Sequence, residues 1–505
     1  VLLLALSLAN ETIGDTLSSW HLPGNLSDIP GRSFQTSVTR EPSSGDLFVT
    51  WTDDGVAERE EILGRRWDQS YQTWLPIENL SRSEPWQRDG GSALLFDVHG
   101  HGFVVWTRTY ATSQGAPSDG YDVLWRTWDG SAWSAEAVLL HGDAYLPGSP
   151  GTFGLIPVET SDSILLFIVW GTGYRTTEYR DGVWSELSPW NHLDVTLAQI
   201  IADDQGTLHA AAFGENSINW GYNGWFQDAY YLKYDGTGWG APLNLSFTDG
   251  VANNVGLAFD GNGQLHFLWS DPGSPYSDES LKSAIWERVK DGESWTPNAE
   301  ATVYDEDQAI NGFSLTADGS GILHMAWSEG LLVNGSQTDL GIYYQTGDRK
   351  AWGTEEVVNA SSGESRYPVV VAGDGAFIFW QEGPTLDRDV YFSRQIADGP
   401  CQSLTEVNIE GPATGYVGQT HLITAASAPL SATWPVTYTW QATQQPAVIH
   451  SGGFIDTVDF AWSLTGTKAV TITAANCGDA DAVSATHTIE LEALGRVYLP
   501  LTTKE

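Results

Sequence analysis

The sequence predicts an all-β chain: a seven-bladed β-propeller closed by its own N-terminal strand, followed by a C-terminal β-sandwich. Three observations carry this. A tryptophan recurs at Trp20, Trp74, Trp133, Trp184, Trp239, Trp295 and Trp352. An apolar run recurs too: "LFVTW" ends at Trp51, "FVVW" at Trp106, "LFIVW" at Trp170, "LHAAA" at Ala212, "LHFLW" at Trp269, "LHMAW" at Trp327 and "FIFW" at Trp380. The two ladders are out of phase. Trp20 has no partner from the second ladder before it, and Trp380 has no ladder tryptophan after it.

The elements follow in chain order. "VLLLALSLA" (1–9) reads as the remnant of a signal peptide, apolar and ending in small residues, so export is expected. The run is too short to span a bilayer. From residue 18 to 399 each unit reads as four strands. The first leads into a turn such as "DGNG" (260–263) or "DGSG" (318–321). The second is the apolar run, which belongs to a strand covered on both faces. The third is aromatic ("DVLWRTW", "AYYLKY", "GIYYQT", "DVYFS"). A glycine turn then leads to the fourth, which carries the ladder tryptophan. Blade seven stops after three strands, so "SSWHLPGNLS" (18–27) is expected to supply its fourth. After Pro400 the strands become Thr- and Val-rich, and 401–493 suits one sandwich. Cys401 and Cys477, the chain's two cysteines, both fall there and are expected to form a disulfide. Residues 494–505 form a tail.

Composition limits the partners. Sixty-four acidic side chains against 23 basic give a net charge of −41, which argues against nucleic acid or an anionic membrane, since phosphate binding needs a basic footprint. No phosphate loop, nucleophile elbow, zinc-protease helix, complete calcium loop or Cys/His cluster is found. No cofactor is expected. A cation such as calcium could sit among rim carboxylates, but no motif indicates it.

Four groups of residues are candidates for chemistry. His209, His266 and His324 share one position of the repeat, where other blades have Phe48, Phe103, Phe167 and Phe377. A site that accepts Phe wants a ring for packing rather than a metal ligand. Two residues beyond each apolar run stand Asp53, Arg108, Asp271, Glu329 and Glu382 among others; Asp53 and Glu382 are the candidate catalytic acids. The loop 214–229 holds Trp220, Tyr222, Trp225 and Phe226 among Asn and Gly, a set suited to stacking on sugar. Arg32, Arg88 and Arg366 lie near the starts of the first strands of blades one, two and seven. Two readings stand: with Arg108 they form a local positive pocket that holds a carboxylate or sulfate, or each pairs with a nearby acid such as Asp89 or Glu364.

The turns "DGSAW", "DGTGW" and "DGESW" resemble degenerate Asp-box (BNR) repeats, and with them 18–399 resembles the sialidase-like propellers. That resemblance implies glycan chemistry. In sialidases three arginines bind the substrate carboxylate, a Tyr–Glu pair is the nucleophile and an Asp the acid/base. Here the repeats number seven where sialidases have six, no Phe-Arg-Ile-Pro motif is present, and no Tyr–Glu pair can be assigned. "YTWQ" and "GTKAVTITAAN" resemble PKD and other Ig-like modules, and "YLPL" resembles the C-terminal tails of some exported bacterial proteins. The expectation is an exported or cell-surface protein, taken as a monomer, that binds a glycan or other extracellular polymer at its loop-rich face without turnover. The alternatives are a sialidase-like hydrolase or lyase acting on an acidic glycan, and a structural surface protein.

Overall fold

The structure is a computed structural model. It describes residues 20–395 and 403–493, apart from 22, 56–58, 85, 98–99, 112–117, 144–153, 160–162, 181, 216–226, 237, 248–251, 272–283, 293, 304–307, 334–335, 349–350, 360–363, 374, 385–386, 430–431, 433–435, 453 and 477–481. Among the described residues no helix occurs, and the strands form nine sheets.

Seven sheets are antiparallel, with four or five strands each. Their first strands are Ser33–Arg40, Gln87–Phe96, Gly154–Glu159, Thr196–Ala202, Asn253–Phe259, Gln308–Ala317 and Arg366–Val371, and the sheets are numbered one to seven in that order. Each first strand packs against that of the next sheet, and the seventh packs against the first. A closed ring of sheets with the first strands innermost is a β-propeller. The apolar runs are the second strands. Leu47–Asp53 and Leu265–Asp271 are buried at every residue, because adjacent sheets cover both faces.

Turns follow from local chemistry. Asp203, Asp260 and Asp318 each accept hydrogen bonds from the backbone N–H groups two and four residues on, which closes the hairpin between first and second strands. Gly321 has φ +79°, and a Cβ there would lie 1.9 Å from the backbone of Gly261 in the neighbouring turn. Only glycine satisfies both demands.

The tryptophan ladder seals one sheet to the sheet before it. Trp74 of sheet one meets Phe392 of sheet seven edge-on, with ring centroids 5.1 Å apart. Trp133 meets Phe48, Trp184 meets Trp125, Trp239 meets Phe167 and Trp295 meets Tyr231, each on the preceding sheet. Trp352 of sheet six donates to Glu287 of sheet five. Trp20 completes the series. It packs on Tyr344 of sheet six at 4.8 Å and donates to Glu356 at 2.9 Å. Gly24 and Asn25 pair with Phe392 and Tyr391 as the outer strand of sheet seven, and Trp20 bridges Gln395. First and last segments of the ring are thus fastened through one sheet.

The last two sheets, one of three strands and one of five, share a core that includes Ile423, Tyr438, Trp440, Val470 and Ile472. The Tyr438 hydroxyl bonds Ser427 of the facing sheet at 2.9 Å. The stretch 1–9, both cysteines (Cys401 and Cys477) and the tail 494–505 lie outside the described residues.

Candidate functional site

First strands begin, and second strands end, on one rim of the ring. Ser33 pairs with Asp53, Arg88 with Thr109 and Arg366 with Gln381. Arg32, Arg88 and Arg366 therefore stand on the same rim, on sheets one, two and seven, which are neighbours in the ring.

Much of the charge on this rim is already bonded. Arg108 is buried. Its guanidinium donates to both oxygens of Asp89 (2.7 and 2.9 Å), to both oxygens of Glu136 (2.7 and 3.0 Å) and to the Ser81 carbonyl. The expected four-arginine pocket is corrected accordingly, since a fork with two carboxylates has no free edge for a ligand. Arg32 pairs with Asp54 at 3.2 Å, lies 3.8 Å from Glu60 and rests over the Phe34 ring. Arg366 reaches Glu364 at 3.4 Å. Arg88 is exposed, and its guanidinium has no ion-pair partner among the described residues.

The two candidate acids are also engaged. Asp53 is fully buried, accepting from Ser33 Oγ at 2.7 Å and from the Gly55 N–H at 2.9 Å. Glu382 accepts from Trp380 Nε1 at 2.8 Å, from Asn359 at 3.1 Å and from Ser365. These bonds hold the loop after the second strand. On Asp53 each carboxylate oxygen takes one of these bonds, whereas on Glu382 all three fall on Oε2.

A third set of carboxylates explains the recurrent "NLS". Asn25 and Ser27 bond Asp389, Ser81 and Ser83 bond Glu61, and Asn244 and Ser246 bond Asp228. In each, the Asn side-chain oxygen accepts the N–H three residues on (Asp28, Arg82, Phe247), and that residue has positive φ. The tripeptide latches the fourth strand to the first residue of the third or its neighbour.

The histidines lie at the other end of the second strands. His209 and His324 bond the hydroxyls of Tyr231 and Tyr344 at 2.7 and 2.6 Å, and His266 bonds Glu287 at 2.6 Å. Each also faces the turn aspartate of its own sheet, Asp203, Asp318 or Asp260. Burial lowers the pKa of His209 and His324, keeping both rings neutral. Among the described residues no group of three or more His, Cys, Asp or Glu could hold a metal ion.

One feature of the rim went unread in the sequence. In six of the seven sheets the first strand slips register near this end: between Phe34 and Ser37, Gly90 and Ala93, Leu197 and Gln199, Asn253 and Val255, Ile310 and Gly312, and Arg366 and Val369. These are β-bulges, which kink a strand and re-aim its side chains. Gln35, Asn254 and Tyr367 occupy them with φ of 54°, 48° and 54°. The only sequence sign is a polar or glycine break early in the strand, as in "SFQTS", "RDGGS", "NNVG", "INGF" and "RYPV". Gln35 bonds Thr52 of its own sheet and the Gly91 N–H of the next. Tyr367 is half exposed. A Cβ on Gly312 (φ +140°) would stand 3.9 Å from the Tyr367 ring and 3.7 Å from the Asn254 side-chain oxygen, so sheets five, six and seven meet there. Trp220, Tyr222 and Trp225 lie outside the described residues.

The fold and this rim define a β-propeller whose innermost strands present amide, phenol and guanidinium groups at the mouth of the ring. No family model matches the chain, and no curated protein matches it. Solved structures similar to it include the NanB sialidase from Streptococcus pneumoniae (TM-score 0.41, 11% identity, 74% of this chain and 69% of that one). An ulvan lyase of polysaccharide lyase family PL25 gives TM-score 0.45 at 10% identity, over 72% of this chain and 94% of that one. The GH93 α-L-arabinofuranosidase of Fusarium graminearum gives TM-score 0.39 at 12% identity, over 74% and 98%. Likeness at this level says nothing about substrate or about individual residues.

Proposed function

We propose that the chain is an exported seven-bladed β-propeller joined to an Ig/PKD-like module, and that its bulge-lined mouth binds an acidic glycan. The observation that carries this is Tyr367. A bulky side chain in the left-handed region is strained, and such strain persists where the surroundings over-determine it. Here it turns a half-exposed phenol ring outward, beside the Asn254 amide and the bare backbone of Gly312. A ring face with an adjacent amide suits the C–H face and hydroxyls of a sugar. Arg366 precedes Tyr367, and Arg88 lies two sheets round the ring, so cationic groups flank the subsite in a chain that is otherwise strongly acidic. Trp220, Tyr222 and Trp225 belong to the same reading as a second stacking surface. Cys401 and Cys477 belong to it as a disulfide of the C-terminal module, consistent with export.

The test is binding of acidic and neutral oligosaccharides to the intact protein and to Tyr367→Ala and Arg366→Lys. The acidic ligands should bind tighter. Tyr367→Ala should lose at least about tenfold, the scale of an aromatic anchor. Arg366→Lys should lose affinity for acidic ligands alone, because lysine keeps the charge without the planar fork. Equal affinity for acidic and neutral glycans removes the charge reading. Unchanged binding by Tyr367→Ala removes the subsite.

A further inference from the structure

Sheet two carries a hydrogen-bonded constellation on the same rim that none of the bonds above require. Asp122 stands on the third strand. Its Oδ1 is 2.9 Å from Nδ1 of His141 on the outer strand, and its Oδ2 accepts the hydroxyl of Tyr110 on the second strand. Asp122 is buried and Tyr110 half-buried, while the His141 side chain is 80% exposed. A carboxylate acceptor at Nδ1 places the imidazole proton there and leaves the Nε2 lone pair facing solvent. This is the orientation that a carboxylate gives to a general-base histidine.

We propose that Tyr110, Asp122 and His141 form a proton-transfer site that cleaves a uronate-containing glycan by β-elimination; the proposal rests on the acidic-glycan reading of this rim. Hydrolysis ordinarily uses two free carboxyl groups across the scissile bond. On this rim Asp53, Asp89, Glu61, Asp228, Asp389 and Glu382 each accept hydrogen bonds from neighbouring strands or loops, and the constellation offers an exposed imidazole and a half-buried phenol. Elimination takes its base and its acid from those, while a rim cation offsets the charge of the uronate carboxylate. His141 Nε2 takes the C5 proton of the uronate, the C5 electron pair forms the C4–C5 double bond, and the C4–O bond breaks. The departing oxygen receives the Tyr110 proton. Tyr110 is then reprotonated from the His141 imidazolium through Asp122 or solvent, so no water, oxidant or metal is consumed. Burial, with the Asp122 charge adding to it, raises the Tyr110 pKa above its ordinary value, which keeps the phenol protonated as an acid. Asp122 is the positioning residue.

The experiment incubates the intact protein with polygalacturonate, alginate, hyaluronan and chondroitin sulfate. It follows ultraviolet absorbance of the new conjugated double bond, with binding measured separately. At least one polymer that binds should yield unsaturated ends. His141→Ala and Tyr110→Phe should each lower kcat by about 100-fold or more, with KM within about threefold, as expected for a lost general base or acid. Asp122→Asn, which keeps an acceptor for Nδ1 but loses the charge, should lower kcat by about tenfold or more with KM within about threefold; a merely structural residue would move KM or stability instead. Binding without unsaturated product, new reducing ends without the absorbance, or full activity in folded His141→Ala would each overturn the elimination site. Absence of binding to every polymer would instead remove the acidic-glycan reading beneath it.

Discussion

Arg108 and Asp89 meet at a point where neither reaches solvent, and that decides what each can do. Asp89 is fully buried, Arg108 is nearly so, and Glu136 completes the fork. Removing one partner strands a buried charge, whereas two matched apolar replacements need not destabilise. Arg108→Ala should therefore lower stability by about 3–5 kcal/mol, read from denaturant midpoints, and Arg108→Met with Asp89→Leu should recover part of the loss. A tolerated Arg108→Ala would mean that the fork opens to solvent. From spacing, Arg108 looked like a rim cation because Glu136 is 28 residues away and nothing in the sequence pairs them. The same limit applies in part to Asp53 and Glu382: Ser33 and Asn359 reach them from other strands, while Gly55 and Trp380 lie two residues away in the chain.

In sheets one, four and seven the strand that carries the "NLS" asparagine is only two residues long, so its hold on the sheet is mostly side-chain chemistry. Ser246 Oγ donates to Asp228 and accepts the Ala229 N–H, at 3.1 and 2.9 Å, in a buried setting. Ser246→Ala leaves that N–H without its acceptor and should cost about 1–3 kcal/mol, as buried groups that lose a partner do. Thermal melts of Ser246→Ala beside an exposed control, Ser131→Ala, check this; equal melts would make the latch decorative. The recurrence of "NLS" was visible, but its purpose was not. The acidic partner lies 16 to 20 residues earlier in sheets one and four, and in sheet seven it lies at the opposite end of the chain. The bulges were hidden for a different reason. A one-residue slip in register exchanges the faces of a strand without altering its composition.

The ring depends on one short segment. His21 sits in that closing segment, donating its N–H to the Arg394 carbonyl at 3.0 Å while its own carbonyl accepts from Ser393 Oγ at 2.7 Å. Burial first, and the Arg394 charge second, depress the His21 pKa from 6.5 to about 3. The unfolded chain takes the proton first as pH falls. The stabilisation is therefore complete above pH 6.5 and is lost on descent from 6.5 towards 3, by up to about 1.4 kcal/mol per pH unit. Melting temperature measured against pH should fall across that window in the native protein, and fall less steeply in His21→Gln. Parallel curves would place the acid sensitivity elsewhere. Trp20 reports the same closure, since its ring fills on sheet six the place that every other ladder tryptophan fills on the sheet before its own.

By itself the sequence determined the class of fold, the period of the repeat, the strand order within each sheet and the missing fourth strand of the last. All of these are written in local apolar periodicity and in turn residues, which act over a few positions. Only the tertiary structure decided which charges are free. Arg108 and Asp53 are bonded by partners that folding of the sheets brings to them, and Glu382 takes three bonds on one oxygen, while Tyr367, Arg88 and His141 are left exposed at the rim. A side chain's availability depends on burial and on bonds between strands distant in the chain, and neither is a property of its neighbours in sequence.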